Sequence, residues 1–352
     1  MKSKIKSRII LGAVIFSILY IIFALRPLST ELHLAPDWTA VIDRIQNEKE
    51  DDEFIPFRLG QTIGYFTADG RIVKSLPYPF NAAISDTYYT IYSANNSNSV
   101  VYDVKGKPVT TIEAAGFPFF AEDRIFLFLP GGSALAQYSK EGKQLWEYEY
   151  YAPITSFASG PHGSVIGFAD GFLISILEDG TIDQSYFPGG SEIQVIMGAG
   201  ISNDGKFIGC VSGQKQQRFI VSERNGEHSR IIFHEYLPKD FKHQVLVRFN
   251  NRADTVYYNF NGGLGIVDMV NSKSSHIPIE GVITQIEEST TQNLMFVLSH
   301  AGAKYTITVI EPFDHVMGTF TFPANSSFLQ IRGNAVFVGK DNKVSRMTIS
   351  KN

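Results

Sequence analysis

Apolar and polar residues alternate along most of this chain in short runs that are separated by turn residues. The clearest example is residues 134–150 (ALAQYSKEGKQLWEYEY), in which two alternating runs flank a turn at Lys140, Glu141 and Gly142. Alternation on both sides of a glycine-containing turn predicts a β-hairpin. The same pattern recurs in YFTADGRIVKSL, YDVKGKPVTTI, LEDGTIDQSYF and SERNGEHSRIIF, around Gly70, Gly106, Gly180 and Gly226.

These hairpins recur at a nearly constant spacing. The turn glycines lie 36, 36, 38 and 46 residues apart, and two further copies have turns near Ser272 and Asp314, where glycine is replaced. Additional strands are predicted between the hairpins, at residues 88–92, 124–129, 165–168, 207–211, 255–260 and 294–298. A period of about 40 residues with four short strands predicts the blades of a β-propeller, which stack radially because one blade cannot bury both of its faces.

Residues 54–352 are assigned to this all-β propeller, and their length suits seven or eight blades of four antiparallel strands. The first and last units each have room for three strands. If the two units merge there are seven blades, and if each forms its own blade there are eight. Eight is favoured because six strands overfill one four-stranded blade. In either case we expect the two ends to join, since closure removes exposed sheet edges.

The N-terminus combines basic and apolar residues. Lys2, Lys4, Lys6 and Arg8 precede residues 9–25, a run of 17 residues without a charge, which is the short end of the length that spans a bilayer. A cleaved signal peptide is the alternative, but the run is longer than the usual apolar centre and ends without a small-x-small cleavage pattern. We therefore expect a single-pass signal-anchor helix preceded by a cytoplasmic tail at residues 1–8.

This orientation places the rest of the chain on the exported, periplasmic side of the inner membrane. Residues 26–53 then form a linker to the propeller. Removing the four basic residues of the leader leaves a net charge of −8 on the remainder. An acidic surface disfavours nucleic acid as a partner, because proteins bind its phosphates with basic patches.

The linker contains one helix-like pattern. Asp37 suits the N-cap position, and Trp38, Val41, Ile42 and Ile45 follow at the spacing of one helix face. We expect a short amphipathic helix here, which packs on the propeller or the membrane surface, or alternatively binds a partner.

Residue types used in catalysis are present but scattered. The eight histidines form no HExxH motif, and no GxSxG motif occurs. Cys210 is the only cysteine, so no internal disulfide can form, and its alternating surroundings predict a buried structural thiol. Acids such as Glu287 and Glu288 are interpreted as solvated turn residues. We therefore expect no enzyme activity and no cofactor-binding or metal-binding residues.

Aromatic residues are the remaining candidates for a binding site. The candidates are Tyr78, Phe80, Phe117, Phe119, Phe120, Tyr148, Tyr150 and Tyr151. We expect their segments to connect the outermost strand of one blade to the innermost strand of the next, on the face where propellers commonly bind partners. Packing between blades is the alternative interpretation. The connection at residues 234–244 is a further candidate because it is longer than the others.

The segments YSKEGKQLWEYEY and GISNDGKFIGCVSG resemble repeats of the broad WD-like and quinoprotein-like (PQQ-like) propeller superfamily. In that group a strand ends in an Asp-Gly-Lys type of turn, and a large aromatic residue begins the next strand. The resemblance covers most of residues 54–352. It implies the propeller fold and an envelope scaffold, as in exported propellers that assist outer-membrane protein assembly.

The chain departs from the quinoprotein dehydrogenases in two ways. Trp146 is the only tryptophan of the repeats, whereas those enzymes carry a tryptophan docking motif in most blades. They also commonly have adjacent cysteines above the cofactor, which a single cysteine cannot provide. No quinone-binding residues are therefore transferred to this chain.

The sequence thus favours a non-catalytic, membrane-anchored propeller that binds envelope proteins as a scaffold or assembly factor. The alternative is a propeller enzyme or sensor that binds a glycan or small molecule at the central channel.

Overall fold

The computed structural model describes residues 14, 16–17, 20, 32–49, 53–93, 97–121, 123–189, 191–226 and 228–351. These residues form eight small antiparallel sheets arranged as an eight-bladed β-propeller. The expectation of an all-β propeller is confirmed, and so is the preference for eight blades.

The strands follow one another along the chain, and each blade takes a consecutive set. Strand β1 is Leu32–Val41, and blade 1 contains β2 (Phe54–Leu59), β3 (Thr62–Thr67) and β4 (Ile72–Pro77). Blade 2 contains β5 (Asn81–Ile84), β6 (Tyr88–Tyr92), β7 (Ser99–Asp103) and β8 (Pro108–Ile112). Blade 3 contains β9 (Phe117–Ala121), β10 (Arg124–Phe128), β11 (Ala134–Tyr138) and β12 (Gln144–Glu149). Blade 4 contains β13 (Ile154–Gly160), β14 (Gly163–Phe168), β15 (Leu173–Ile176) and β16 (Ile182–Tyr186).

The second half of the ring continues in the same way. Blade 5 contains β17 (Ile196–Ile201), β18 (Phe207–Ser212), β19 (Arg218–Asn225) and β20 (His228–Tyr236). Blade 6 contains β21 (Val247–Phe249), β22 (Thr255–Phe260), β23 (Gly263–Asp268) and β24 (Lys273–Pro278). Blade 7 contains β25 (Val282–Ser289), β26 (Leu294–Ala301), β27 (Lys304–Glu311) and β28 (His315–Pro323). Blade 8 contains β29 (Ser327–Arg332), β30 (Ala335–Lys340), β31 (Lys343–Lys351) and, as its outermost strand, β1.

Strand β1 closes the ring. It pairs antiparallel with β31, from Leu32 opposite Lys351 to Val41 opposite Lys343, so the two ends of the described chain share blade 8. The predicted joining of the ends is therefore confirmed. The predicted helix at residues 37–45 is wrong, because most of that segment belongs to this strand or the turn after it.

A β-bulge divides the side chains of strand β1 between two parts of the core. The pairing register shifts between Pro36 and Trp38, and a bulge reverses the side of the sheet on which later side chains lie. Leu32 and Leu34 before the bulge pack between blades 7 and 8, whereas Trp38 and Ala40 after it pack between blades 8 and 1. The helix-like spacing begins at Trp38 and continues past the end of the strand into the turn that follows it.

The core lies between blades. Phe66 of blade 1 and Phe337 of blade 8 have ring centroids 5.1 Å apart, and Phe219 of blade 5 stacks on Tyr258 of blade 6 at 4.0 Å. Cys210 is fully buried in the core between blades 4 and 5, where burial raises the pKa of its thiol to about 12. The prediction of a buried thiol is confirmed.

The periodic glycines have a second role besides making turns. All five predicted turn glycines have positive φ, so the predicted hairpins are confirmed. Four of them also face a side chain on the outermost strand of the preceding blade, in the pairs Gly70 with Trp38, Gly106 with Lys74, Gly142 with Thr110, and Gly180 with Trp146. A Cβ at these glycines would lie 2.4–2.9 Å from its neighbour. The repeat therefore encodes contacts between blades as well as hairpins.

The order of strands gives the propeller two distinct faces. In a four-stranded blade, the first-to-second and third-to-fourth turns lie at one end, which we call the turn face. The second-to-third turns and the links between blades lie at the other end, which we call the connection face.

Blade 1 is the exception to this order, because it has three strands among the described residues. Lys74 in β4 faces Gly106 as a fourth-strand residue does, so β2, β3 and β4 correspond to the second, third and fourth strands. The innermost position is consequently taken by β2.

Contacts with blade 8 show that β2 also runs in the opposite direction to β29. Gln330 Nε2 donates to the Pro56 carbonyl oxygen at 3.0 Å, and a Cβ at Gly60 would lie 3.7 Å from Ser326 Oγ. Strands β2 and β29 are therefore antiparallel. The end of β2 consequently lies at the connection face.

The N-terminal expectation falls largely on residues that are not described. Most of residues 9–25 lie outside the described set. Among the described residues, no helix has the length and apolar character needed to cross a bilayer.

Candidate functional site

Exposed aromatic residues are concentrated on the connection face. Tyr151 is 78 % exposed in the link between blades 3 and 4, and Phe80 is 68 % exposed in the link between blades 1 and 2. Phe187 follows blade 4, Tyr236 ends blade 5, and Phe117 begins β9. Among the exposed aromatic residues of the described propeller, Phe119 alone lies away from the connection face, in the middle of β9.

Exposed apolar residues near the turn face have a different character. Leu145, Ile182, Val270 and Val316 are aliphatic and lie on outermost strands or their turns. Exposed aromatic residues are enriched where proteins bind one another, whereas single aliphatic residues are common on any surface. The connection face is therefore the candidate interface.

Tyr150 and Tyr151 form one fixed unit on this face. The hydroxyls of both residues donate to Asp170 Oδ2, at 3.1 Å and 2.7 Å. Burial alone would raise the pKa of Asp170. Hydrogen bonds from Tyr151, the Phe172 amide and Tyr150 outweigh burial and lower this pKa. The Tyr150 ring packs on Phe172 with centroids 4.8 Å apart. Tyr150 thus supports Tyr151, whose ring remains available to a partner.

A second cluster surrounds Arg58 near the end of β2. Arg58 Nε donates to Tyr78 Oη at 2.9 Å, and Tyr78 Oη donates to the Gly60 carbonyl oxygen at 3.0 Å. Burial raises the pKa of Tyr92, and the positive charge of Arg58 partly offsets this increase. Phe117 packs against Tyr92 with ring centroids 6.4 Å apart. Aromatic residues from three blades therefore meet near one cation.

The central channel contains two cavities. The larger, about 450 Å³, is lined by the innermost strands of blades 4 to 7 and by turn residues such as Asn251. The smaller, about 320 Å³, lies among blades 1, 2, 7 and 8 and includes Arg58 in its wall. Thr284 and Gln285 line both cavities, so the two cavities are adjacent.

Glu287 and Glu288 are residues of β25 that line the larger cavity, so their interpretation as solvated turn residues is wrong. Glu287 Oε1 lies 3.5 Å from Arg248 Nη1. Burial raises the pKa of Glu287, while the charges of Arg248 and Arg332 oppose the increase. A carboxylate in this position has the chemistry to bind a polar ligand.

The turn face is held together by a chain of hydrogen bonds around the channel mouth. From blade 3 to blade 8 the partners are Arg124 and the Gly160 carbonyl, His162 and the Asn203 carbonyl, Asn203 and Asn251, the Asn251 amide and Glu288, and Ser289 and the Gly333 carbonyl. Arg332 Nη2 then donates to Asp86 Oδ1 of blade 2 at 2.5 Å. This last bond passes over blade 1, whose described strands β2, β3 and β4 include no first-to-second turn. The polar groups of the turn face are therefore already hydrogen-bonded to neighbouring blades.

The structure separates the predicted aromatic residues into two groups. Phe80, Phe117, Phe119 and Tyr151 are exposed, whereas Tyr78 and Phe120 are buried and Tyr148 and Tyr150 pack into the cluster around Phe168. Packing between blades therefore accounts for the second group, whereas binding by the exposed group stays a prediction. The expectation that residues 117–120 connect strands is wrong, because they lie within β9.

Two residues of the candidate site, Phe187 and Arg58, were not recognised from the sequence, whereas Tyr236 lies within the candidate segment at residues 234–244. Phe187 was detectable, since it follows an outermost strand as Tyr151 does. Arg58 gave no sequence signal, because its position depends on the direction of β2. Among the described residues, no group of three or more His, Cys, Asp or Glu side chains could hold a metal ion.

Comparison with known proteins assigns the family. A sequence model described as a beta-propeller protein matches residues 1–352. The chain belongs to this family of beta-propeller proteins. It is also 28 % identical over 347 residues to an uncharacterized protein of Treponema pallidum (strain Nichols), covering 96 % of this chain and 92 % of the relative.

Solved structures with the same fold include natural and designed proteins. BamB from Moraxella catarrhalis matches with a TM-score of 0.61 and 13 % identity, over 90 % of this chain and all of BamB. The computationally designed Ika8 protein matches with a TM-score of 0.64 and 14 % identity, over 91 % of this chain and 98 % of its own. At these identities the likeness supports the fold of this family member and nothing further.

Proposed function

We propose that this propeller is a non-catalytic protein-interaction scaffold or assembly factor of the cell envelope, and that partners bind its connection face. The observation that carries the proposal is the set of exposed aromatic residues on that face. Interface energy commonly concentrates in a few large aromatic or arginine side chains. Tyr151, Phe187, Tyr236 and Arg58 are residues of this kind.

The internal structure of the two faces supports the same choice. On the turn face, side chains such as Asn203, Asn251 and Arg332 are bonded to neighbouring blades. On the connection face, Tyr151 is held through its hydroxyl by Asp170 while its ring stays exposed. A ring fixed before binding loses little conformational freedom when a partner covers it, which favours affinity.

The proposed location is the inner membrane, with the propeller on the exported side. Residues 9–25 would serve as the anchor and residues 1–8 would stay in the cytoplasm, as their charges suggest. The superfamily that the repeats resemble includes exported propellers that assist outer-membrane protein assembly, which supports an envelope role. BamB shares the fold.

A second candidate function is binding of a small polar molecule in the larger cavity of the channel. Its size of about 450 Å³ and the presence of Glu287 and Arg248 in its wall favour this candidate. Cavities of this volume are typical of small-molecule sites.

Affinity capture of the full-length protein after crosslinking in its native cells tests the first candidate. The paired substitution Tyr151→Ser and Phe187→Ser should reduce recovery of specific partners while the melting temperature changes little, because both rings are exposed. Val270→Ser, which alters an exposed apolar residue near the turn face, is the matched control and should leave recovery intact. Equal recovery of partners with the parent protein, the paired variant and Val270→Ser would argue against the connection face as the binding surface and favour binding in the channel.

A further inference from the structure

The larger cavity of the channel is lined by two unlike sets of residues. The innermost strands of blades 4 and 5 contribute mostly small residues, which include Ala158, Ser159, Gly160 and Gly200. The innermost strands of blades 6 and 7 contribute charged residues instead. Because the small residues fill little of the channel, a space of about 450 Å³ remains beside the charged ones.

Arg248 and Glu287 form an ion pair in this wall, and both side chains can be reached from the cavity. The Arg248 side chain is 47 % exposed and the Glu287 side chain is 23 % exposed. Glu287 Oε1 lies 3.5 Å from Arg248 Nη1, whereas strong hydrogen bonds between charged groups are about 2.7–2.9 Å long. The two charges are therefore close together but only weakly bonded to each other.

Both side chains keep unused hydrogen-bonding groups. Within the described part of the chain, this long contact is the hydrogen bond that the two charged groups form. Glu287 Oε2 and the other N–H groups of Arg248 have no partner there. Burial raises the pKa of Glu287 although positive charges are near, which agrees with a carboxylate that has few donors around it. A ligand that supplies these missing bonds would be stabilised.

Neighbouring charges already have partners of their own. Glu288 Oε2 accepts a hydrogen bond from the Asn251 amide at 2.7 Å. Arg332 Nη2 is paired with Asp86 Oδ1 at 2.5 Å. A ligand that enters the cavity therefore meets Arg248 and Glu287 as the charged groups with free bonding capacity.

An adjacent cation and anion favour a ligand that itself carries an anion and a cation side by side. A ligand with a single charge would attract one member of the pair and repel the other. A zwitterion can place its carboxylate against the guanidinium fork of Arg248 and its ammonium, which has three donors, against Glu287. In an α-amino acid both groups are attached to one carbon, so they are as close together as the two charges of the wall.

We propose that this cavity binds a free α-amino acid, with its carboxylate at Arg248 and its ammonium at Glu287. The side chain of the ligand extends toward the small residues of blades 4 and 5. The proposal rests on the second candidate function and gives it a class of ligand. It is independent of the protein partners that bind the connection face.

Melting temperatures of the full chain in detergent, measured with each common amino acid singly, test this proposal. At least one amino acid should raise the melting temperature, because a ligand that binds the folded state stabilises it. Isothermal titration calorimetry then compares this amino acid with its N-acetyl derivative, which lacks the ammonium, and its amide, which lacks the carboxylate. Both derivatives should bind at least tenfold more weakly, since each loses a hydrogen bond between charged groups. Absence of any shift, or a derivative that binds as tightly as the amino acid, would overturn the proposal.

Variants identify the residues responsible. Arg248→Gln and Glu287→Gln should each weaken binding at least tenfold. Arg230→Gln is the matched control and should not change binding, because Arg230 is also paired with a glutamate but lies on the outermost strand of blade 5. Unchanged binding by both cavity variants would contradict the assignment. The comparison of derivatives uses the parent protein, so it stays decisive even if a variant does not fold.

The cavity proposal and the scaffold proposal can fail separately. Absence of amino-acid binding together with intact partner capture through Tyr151 and Phe187 would reject the cavity proposal and leave the scaffold standing. Amino-acid binding that survives Tyr151→Ser and Phe187→Ser would show that the cavity acts independently of the connection face.

Discussion

Substitution of Gly142 tests whether the repeat encodes contacts between blades. Gly142 has a φ of +79° in the turn between β11 and β12. A Cβ at this position would lie 2.4 Å from Thr110 Oγ1 and 2.8 Å from the Thr111 carbonyl oxygen, both in β8 of blade 2. Gly142→Ala therefore adds overpacking to backbone strain.

The expected loss of unfolding free energy follows from backbone strain and overpacking. A left-handed backbone costs an alanine about 1–2 kcal/mol, and forcing a packed neighbour to move costs about 1–3 kcal/mol more. Gly226 is the matched control, because it lies in the corresponding connection of blade 5, between β19 and β20, with a φ of +64° and no atom within 4 Å of its ideal Cβ. Gly226→Ala should therefore cost about 1–2 kcal/mol, and Gly142→Ala about 2–5 kcal/mol.

Urea unfolding followed by circular dichroism measures both variants. The difference in the free energy of unfolding between Gly142→Ala and Gly226→Ala reports the contact between blades 2 and 3 separately from the turn. Equal losses in the two variants would refute the assignment of a packing role to the periodic glycines.

Three further predictions concern closure, the buried thiol and charge. Trp38→Ala should destabilise the protein by about 3–5 kcal/mol in urea unfolding, because Trp38 packs on Phe66 and Phe337 where β1 closes the ring; a loss below 1 kcal/mol would contradict closure by this strand. Cys210 should not react with a thiol reagent at pH 8 until urea unfolds the protein, since its pKa is raised to about 12; rapid labelling of the native protein would disprove its burial. Hydrogen bonds from Lys206 and Arg230 lower the pKa of Glu223 in the folded state. The ionised Glu223 therefore stabilises the fold fully above its unfolded pKa of about 4.3, and this stabilisation is lost as the pH falls through the pKa of the folded state. Thermal melts of the parent protein and Glu223→Gln should therefore differ at pH 6 and converge in acid, and a constant difference would reject this linkage.

Local sequence patterns determine most of this fold. The turns at Gly70, Gly106 and Gly142 and the run at residues 88–92 were predictable, because hairpin geometry depends on residues that are adjacent in the chain. Strand β1 was not predictable as part of the ring, because its partner, β31, lies at the other end of the chain.

The candidate site was only partly predictable for a related reason. Exposed residues such as Tyr151 follow from their place at the end of an outermost strand. The Arg58 cavity depends instead on Gln330, which is distant in sequence, and on the reversed direction of β2. The cavity forms because blade 1 has three described strands and because blade 8 packs against it. Neither feature can be predicted from a local sequence pattern.

Site-specific photo-crosslinking in native cells tests the central claim most directly. A photoreactive residue is placed singly at Phe80, Tyr151 and Phe187 on the connection face, and at His162, Arg252 and Asn293 on the turn face. The connection-face positions should yield discrete crosslinked partners and the turn-face positions should not. Partners captured only from the turn face would contradict the assignment of the connection face as the binding surface.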